Sequence, residues 1–575
     1  MHADTPLNSD GTVQTTKISI DSKNTPVGSY ALNNGTIILT GKNNTGTGYG
    51  IRAGLDATIT NSGTIKISGV ETGYGIYAEG GTGTITNSGT IDVSATNAYG
   101  IFVKDGTNTT VKNTGTIRLN GTACTDCGGS ESVGNYIVLN GATLQNQGVL
   151  SARSLNLSSL GGTVVAGVGS TFTANDISGH LQLSAEHVSD GFASHYTATD
   201  VIQANDTSGL KVSSGSAMFN ARLADNGSDI TMTRRGFDEL TENGSLAAFL
   251  EHNYALGNNE AFYRELKSIG TAGAFRGAMN ELGGMGSLPR FAHEDMTMLR
   301  EMNLAMNTAL FAGADKNTLE TSGSVSAFSF KNNRGSNGQY ALGNKRITPH
   351  VKVGYAMSVA HLSTKDKSLD NSRNNVVYQV AMPVNYRYGK VQMMMTPTVG
   401  FMRGHYNRSG MNAMTYSGTI SRRVAGLMNE GRYPLLFGNT EIAPTIEMNA
   451  LMLHQKGGED NKAYALTIPS DRQMSVESGI GLNLTRTTET RNGRLSMTAR
   501  IMGYHEFADP YRTRVGMRGM SGTFDLTDGA GRDWRAEAAM GFTYTAGSFN
   551  LYGQARHYWD QSPRSDLRSG LKWVF

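Results

Sequence analysis

From about Gly323 to the C-terminus, apolar and polar residues alternate one by one in segment after segment. In the last stretch, Leu567, Leu571, Trp573 and Phe575 share one face of an extended strand, while Arg568 and Lys572 point the other way. Between Trp534 and Tyr544, one face holds Trp534, Ala536, Ala538, Met540, Phe542 and Tyr544; the other holds Arg535, Glu537, Ala539, Gly541 and Thr543. Met474 to Leu484 splits the same way, with Ser475, Glu477 and Asn483 on its wet side, and Leu495–Gly503 and Ile442–Met452 place Arg500 and Glu447 there. Successive strand side chains point to opposite faces, so each segment has one greasy and one wet face. A membrane-crossing strand needs ~9–11 residues, and a barrel closed in lipid leaves no unpaired edge. The pattern predicts twelve such strands, near 323–331, 346–363, 374–388, 390–405, 417–437, 440–457, 473–487, 493–507, 512–527, 533–547, 549–562 and 566–575. An even count of alternating ~10-residue segments between turns is the signature of a transmembrane β-barrel. Tyr355, Tyr406, Tyr504, Tyr544, Tyr558, Trp559 and Trp573 fall near strand ends, where an interfacial girdle is expected. A soluble sandwich would need a second sheet against every greasy face.

The N-terminal part has a different period. Gly48-Tyr49-Gly50-Ile51, Gly73-Tyr74-Gly75-Ile76 and Ala98-Tyr99-Gly100-Ile101 recur every 25 residues. Asn61-Ser62-Gly63-Thr64-Ile65, Asn87-Ser88-Gly89-Thr90-Ile91 and Asn113-Thr114-Gly115-Thr116-Ile117 recur every 26. Looser copies begin at Asn33 and Asn146. Short β-prone runs broken by Asn-x-Gly turns at this period predict the coils of a right-handed parallel β-helix over residues 1–160, with like residues stacked in ladders. The repeated tyrosines read first as structural, although a stacked stripe on an exposed face would offer a glycan platform. A propeller needs longer blades, and the nonapeptide of calcium-binding β-rolls is missing, so no calcium is expected.

Residues 161–240 keep β character without the repeat and predict the cap that a solenoid end requires. Residues 241–312 then change to helical spacing. Phe249, Phe262, Leu266, Ile269, Met279 and Leu282 are the expected buried positions, ahead of a Gly283-Gly284-Met285-Gly286 break. Ser287 and Pro289 suit the start of a further helix reaching about Phe311. About 22 residues at ~1.5 Å each give ~33 Å, the height of a membrane. Phe291, Leu299, Met302, Met306 and Leu310 form one face; His293, Glu294, Asp295, Arg300 and Glu301 form another. This helix reads either as a plain linker or as one threaded through the barrel of residues 313–575, its charges meeting a polar wall.

Composition narrows the class. The chain has 575 residues, 72 of them glycine, and 17% charged residues, which suits turn-rich β architecture better than a compact α/β enzyme. A formal net charge of +3 gives no support to a nucleic-acid partner. No apolar run is long enough for a transmembrane helix. Cys124 and Cys127, in Cys-Thr-Asp-Cys, lack the second ligand pair that zinc needs; they read as a small disulfide loop in an oxidising compartment or as two idle thiols. Met1-His2-Ala3-Asp4 has no charged or apolar leader, so a mature or truncated form is expected. No catalytic motif, cofactor motif or metal cluster stands out. Asp56, Asp92, Asp105 and Asp126 are scattered at turns, and His361, His405, His454, His505 and His557 lack a nucleophile partner, so no catalytic role is assigned.

A β-helix, a cap, a helical linker and a twelve-strand barrel ending in Leu571-x-Trp573-x-Phe575 resemble the monomeric autotransporters of type V secretion in Gram-negative bacteria. Ser324-Val325-Ser326-Ala327-Phe328-Ser329 is similar to their barrel start, and Ser268 to Gly284, with Ala278-Met279-Asn280-Glu281-Leu282, is similar to linkers of subtilase-type members. The resemblance implies an outer-membrane barrel, a passenger at the cell surface, and an autochaperone-like segment before the linker. It implies that the barrel assembly machinery reads Leu571, Trp573 and Phe575 as an assembly signal, with periplasmic chaperones, outer-membrane lipid and lipopolysaccharide as partners. The subtilase Asp/His/Ser set, with serine in a Gly-Thr-Ser turn, is missing, so the chain has lost it or is a fragment; the absence of catalytic motifs together with the solenoid makes a non-enzymatic adhesion or aggregation module, with a host or bacterial surface ligand, the expected passenger. The alternatives are a fragment of a subtilase autotransporter without its protease domain, or a barrel enzyme or porin with a periplasmic solenoid. Asn303 and Asn307 lie in the threaded helix, where lumen acids would assist asparagine cyclisation and cleavage; ordinary helix residues are the plainer reading.

Overall fold

The computed structural model describes residues 6–8, 13–14, 30–41, 46–122, 135–188, 190–282, 288–311, 318–326, 333–366, 371–410, 415–462, 464–508, 512–527, 533–559 and 564–574. Cys124, Cys127 and Phe575 lie outside these residues, as do the side chains of Leu571 and Trp573. Two compact units are present: Met1–Glu242 with Tyr254–Phe275, and Asn243–Asn253 with Arg276–Phe575. The expected linker is therefore shared between them rather than forming a segment of its own.

The first unit is a parallel solenoid. Thr58–Asn61 pairs in register with Thr84–Asn87, which pairs with Thr110–Asn113, which pairs with Thr143–Asn146. The Thr-Ile strands that follow each turn stack likewise, aligning Ile37, Ile65, Ile91, Ile117 and Leu150 in one buried column. At each turn between these faces the asparagine points inward. Asn33, Asn61, Asn87, Asn113 and Asn146 are fully buried, and the amides of the first four each donate to the next coil's Oδ1 at 2.7 Å. A buried amide is stable only with its donors and acceptors met, and the ladder meets them by repetition. Gly89 completes the turn because a Cβ there would run into the Gly63 carbonyl of the preceding coil. Replacing Asn87 with alanine takes the donor from the Asn113 side-chain carbonyl and leaves the Asn61 amide only its longer bonds to the Gly63 and Thr90 carbonyls. The cost is about 1–3 kcal/mol, read as a lower urea midpoint for protease resistance of the solenoid. Lys112→Ala, at an outward position of the neighbouring strand, should leave that midpoint nearly unchanged.

The Tyr repeat forms a second ladder. Tyr49, Tyr74 and Tyr99 stack at 5.0 and 4.6 Å, and Tyr77 stacks on Phe102 at 5.1 Å, edge-on to the first row. The rings are half-buried, and partial burial beside neighbouring phenols pushes the Tyr74 hydroxyl up to about 12. Their faces cover one another, so the row turns edges and hydroxyls outward, which suits coil cohesion better than stacking against a sugar.

The solenoid end is closed by an antiparallel sheet of His195–Ala198, Phe219–Leu223 and Ile230–Arg234. Four helices follow: α1 (Gly244–Ala255), α2 (Glu260–Lys267), α3 (Ala272–Leu282) and α4 (Leu288–Phe311). Tyr254, Tyr263, Phe192 and Phe237 pack edge to face in the first unit, and buried Lys267 donates to the carbonyls of Val188 and Asp190 at 2.8 and 2.7 Å. His187 is buried beside them with Nε2 unpartnered, and burial holds its imidazole below the usual histidine range. A histidine depressed in the folded state takes up its proton more readily when unfolded. The stability it leaves intact at neutral pH is therefore lost as the pH falls below about 6.5, towards its folded value. Protease resistance of residues 135–240 should drop between pH 7.5 and 5, and His187→Gln should flatten that drop.

The second unit is a closed antiparallel barrel of twelve strands: β1 (Thr318–Ser326), β2 (Asn333–Arg346), β3 (Val351–Asp366), β4 (Asn371–Ala381), β5 (Val391–Ser409), β6 (Thr415–Arg432), β7 (Thr440–Gln455), β8 (Asp471–Thr490), β9 (Gly493–Glu506), β10 (Trp534–Ala546), β11 (Phe549–Trp559) and β12 (Arg564–Val574). β1 pairs with β2 on one side and with β12 on the other, which closes the ring. β4 stops at Ala381, is interrupted at Pro383, which has no N–H to give, and resumes as Val384–Tyr388 between the starts of β3 and β5. Ile480, Met540, Ile501 and Met357 are 66–72% exposed on the outer wall. Apolar exposure over a whole barrel face is a lipid contact. The inner wall buries Glu430, Glu447, Glu477, Arg500 and Glu537.

One strand is missing from the expected twelve and one expected strand lies elsewhere. Asn333–Arg346 is a barrel strand although its run of Asn, Gly and Ser shows no alternation, because the barrel needs its backbone hydrogen bonds rather than its side chains. Residues 512–527 are not in the barrel wall. They form the hairpin Arg512–Met517 and Phe524–Thr527 of a four-stranded sheet with Gly458–Glu459 and Leu466–Ile468. Their alternation arises from Val515, Met517, Phe524 and Leu526 packing in that sheet. The girdle is corrected too. Tyr406, Tyr504 and Tyr558 face inward and are buried, whereas Tyr355 and Trp559 are outside, joined by Trp534 and Phe507.

Candidate functional site: the barrel lumen and its outer mouth

Turn lengths orient the barrel. One end has short turns, at 347–350, 433–439, 491–492 and 547–548; the other has the long connections, including 456–470 and 507–533. Short turns mark the periplasmic end and long loops the outside.

Helix α4 lies inside the lumen and runs between these ends. Near its start, Glu294 and Asp295 meet Arg373 at 2.7 Å each, close to where β4 leaves the long-loop end. Arg373 also donates to the Phe291 carbonyl at 2.6 Å, and its guanidinium lies 4.9 Å from the Phe291 ring. Asp295 accepts from Arg422 and, at 3.1 Å, from Asn375. One turn on, Arg300 reaches Glu506 at 2.6 Å, Glu477 at 3.5 Å and the Ser475 hydroxyl. Asn303 bonds to Thr398 and Gln379, and Asn307 accepts from Thr396, near where β5 rises from the short-turn end. α4 therefore descends from the outside to the periplasm. Met296, Leu299 and Met302 pack against Ala360, Val377, Val424 and Leu451 of the wall.

Burial makes these contacts decisive. A charge taken out of water without its partner is costly, and a set that is fully paired holds its members in one geometry. The wall has a network of its own. Arg500 bonds to Glu537 at 2.9 Å, lies 3.3 Å from Glu430 and also meets Glu447, which accepts from the Tyr504 hydroxyl at 2.9 Å. Arg535 stacks 3.6 Å over Tyr504 and bonds to Glu477. A cavity with room for about one water lies between α4 and this network, lined by Thr297, Arg300, Leu304, Glu447 and Tyr558 among others.

At the outer mouth, Asp460 is the hub. It accepts from the Tyr406 hydroxyl at 2.7 Å, from the Leu466 amide at 3.1 Å and from Arg408. Arg408 is fully buried over Tyr416 and donates to the last carbonyls of α3, Glu281 and Leu282, at 3.3 Å. The long-loop sheet grips residues 243–253 as well. Asn253 and Ser521 exchange two hydrogen bonds of 2.6 and 2.9 Å, Asp525 bonds to Asn243 and Ser245, and Phe249 lies 4.9 Å from Phe524.

Of the residues picked from the sequence, Glu294, Asp295 and Arg300 meet a polar wall, as the threaded helix requires. The side chains of His293, Glu301, Met306 and Leu310 lie outside the described residues. Asn303 and Asn307 are buried, and the partners they show are amide and hydroxyl groups rather than a carboxylate. His361, His405, His454, His505 and His557 all sit on the outer wall near the long loops; His505 packs on Trp534 and His557 on Trp559. Backbone pairing joins β12, with Leu571 and Trp573 opposite Thr321 and Leu319, to β1 at the barrel seam. Arg373, Arg422, Arg408 and Asp460 were not singled out by sequence. Their signal is a charge at an inward position of a strand, but strand parity names no partner.

Residues 310–556 match the autotransporter β-domain, and residues 14–179 match the BigA third pectate lyase-like domain. No curated protein sequence matches the chain. Among solved structures, the translocator domain of the autotransporter NalP from Neisseria meningitidis is 10% identical, with a TM-score of 0.39 over 50% of this chain and 97% of that one. The β-domain of the Bordetella autotransporter BrkA is 13% identical, with a TM-score of 0.36 over 45% and 100%. The transport unit of AIDA-I from Escherichia coli is 10% identical, with a TM-score of 0.30 over 46% and 92%. By its family matches the chain carries an autotransporter β-domain, a barrel of the outer membrane, preceded in sequence by a solenoid exposed at the cell surface.

Proposed function

We propose that the barrel delivers the solenoid to the cell surface, stays closed behind it with α4 in the lumen, and displays it as a non-enzymatic adhesion or self-association module. The observation that carries the export reading is the direction of α4, from the long-loop end to the short-turn end, because it puts the chain before Leu288 on the outer side. The adhesive role is supported by the coil surface. Its ladders repeat the same short polar side chains and half-exposed rings from coil to coil, which suits many weak contacts along a stalk. Assembly by the barrel assembly machinery through β12, with periplasmic chaperones, belongs to the same proposal. So does kinship with subtilase-type autotransporters, which rests on the 268–284 segment alone.

The test is expression of the full chain on a non-aggregating Gram-negative host, with an epitope inserted after Asp105. Antibody should label intact cells, and the cells should settle faster than cells whose chain lacks residues 30–188. Surface labelling with unchanged settling and unchanged adhesion would remove the adhesive role and leave export. No labelling without permeabilisation would remove export.

A further inference from the structure

The outer wall of β5–β8 carries a cluster of cations where an apolar belt is expected to end. Arg423 on β6, His454 on β7 and Arg472 on β8 stand directly opposite one another across three neighbouring strands. Arg403 on β5 pairs with Ser421, two residues from Arg423, and the Lys456 amide bonds to the Ser421 carbonyl on the other side. Arg403, Arg423, Lys456 and Arg472 are exposed, and His454 Nδ1 is buried without a hydrogen-bond partner. Directly below them Phe401, Met452 and Met474 are exposed on the same face.

This arrangement is unfavourable by itself. Arg423 and Arg472 flank His454 two strand spacings apart, about 10 Å, with Arg403 and Lys456 on either side of Ser421, and like charges gathered at such distances beside lipid repel. Outward cations on a barrel are tolerated at the interface and penalised deeper in lipid. The inward charges of this barrel answer the same problem with carboxylates. Here, among the described residues, no Asp or Glu takes an outward position on the long-loop half of these four strands, and none of the three arginines has an ion-pair partner. At the same end, β9–β11 carry Phe507, Trp534 and Trp559 instead, so the cations are local to one flank.

We infer that this flank is a binding site for a phosphorylated glycolipid of the outer leaflet, the lipid A headgroup of lipopolysaccharide. Its phosphates would take bidentate hydrogen bonds from Arg403, Arg423 and Arg472, with Lys456 and the Ser421 hydroxyl between them, and its acyl chains would run down the belt below. Phosphate chemistry supplies the missing counter-charge, and the long-loop end is the one that faces the lipid bearing it. The inference rests on the outer-membrane placement of the barrel and is independent of what the solenoid does.

The full chain, folded in detergent, is titrated with bisphosphorylated lipid A, with lipid A stripped of phosphate, with phosphatidylglycerol and with inorganic phosphate, and bound lipid is counted by native mass spectrometry. Bisphosphorylated lipid A should bind saturably and at least tenfold tighter than the other three. The Arg403→Ser/Arg423→Ser/Arg472→Ser variant should lose at least tenfold in that affinity, while Arg486→Ser, a cation towards the short-turn end, should lose none. Undiminished binding by the triple variant, or equal binding of dephosphorylated lipid A, would overturn the site. Equal binding of phosphatidylglycerol or inorganic phosphate would overturn the assignment to lipid A. Heat-modifiable gel migration reports whether the triple variant has folded, and the comparison among ligands on the unmutated chain decides the matter if it has not.

Discussion

Replacing Asp295 with alanine is expected to turn a closed barrel into one that conducts. Asp295 is fully buried and is held by Arg373 and Arg422, so its loss leaves Arg422 with Gln455 and no carboxylate partner. Removing one member of a buried ionic set costs about 3–5 kcal/mol. That cost falls on the state in which α4 fills the lumen, because water reaches the arginines once the helix withdraws. A shift of that size is roughly two to three and a half powers of ten in the balance between filled and open states. The unmutated chain should be electrically silent in planar bilayers, and Asp295→Ala should show frequent stepwise openings. Pairing it with Arg422→Gln removes the unmatched cation and should restore much of the silence. An Asp295→Ala protein as closed as the parent would mean that the apolar contacts of Met296, Leu299 and Met302 hold the helix without the charges.

Asp460→Ala should produce a comparable loss at the outer mouth. Arg408 and Asp460 both have fully buried side chains, and Arg408 ties the end of α3 to the loop that carries Asp460. Without the carboxylate, a guanidinium stays buried against a tyrosine ring and two carbonyls, at a cost again of about 3–5 kcal/mol. The lumen contacts of α4 are untouched, so the expected change is local. Proteases added outside should cut between residues 276 and 288 or within 456–470 far faster than in the parent, while conductance stays low. Tyr406→Phe removes a single hydrogen bond to the same carboxylate and should have a much smaller effect, near ~1 kcal/mol.

These two sites differ in how far the chain announces them. The barrel follows from alternation, because lipid outside and a polar lumen inside impose a period of two on every residue of a spanning strand. Glu447 and Arg500 stand on the polar face in the sequence and in the lumen alike. Alternation fails where no side chain has to be greasy, as in Asn333–Arg346, and misleads where another sheet imposes the same period, as in Arg512–Thr527. It also assigns a tyrosine to the membrane interface by proximity to a strand end. Tyr406, Tyr504 and Tyr558 were placed there, but parity turns them inward, where each finds a charged or polar partner. The Asn ladder was legible as a spacing, since stacking coils put equal positions in register. That its amides point inward and bond to one another depends on turn geometry rather than spacing. Pairings such as Asp295 with Arg373 and Arg422 join segments some 80 to 130 residues apart. No local pattern encodes them; they exist because a helix of opposite polarity fills the space that twelve strands enclose.

The most direct test of the threaded, outward-displayed arrangement is exhaustive protease digestion of intact cells, with the surviving fragments mapped by mass spectrometry. The account predicts that peptides from residues 30–240 disappear, and that the protected fragment contains the barrel together with Leu288–Phe311. Survival of the solenoid in unpermeabilised cells, or removal of the α4 peptides while the barrel strands persist, would contradict it.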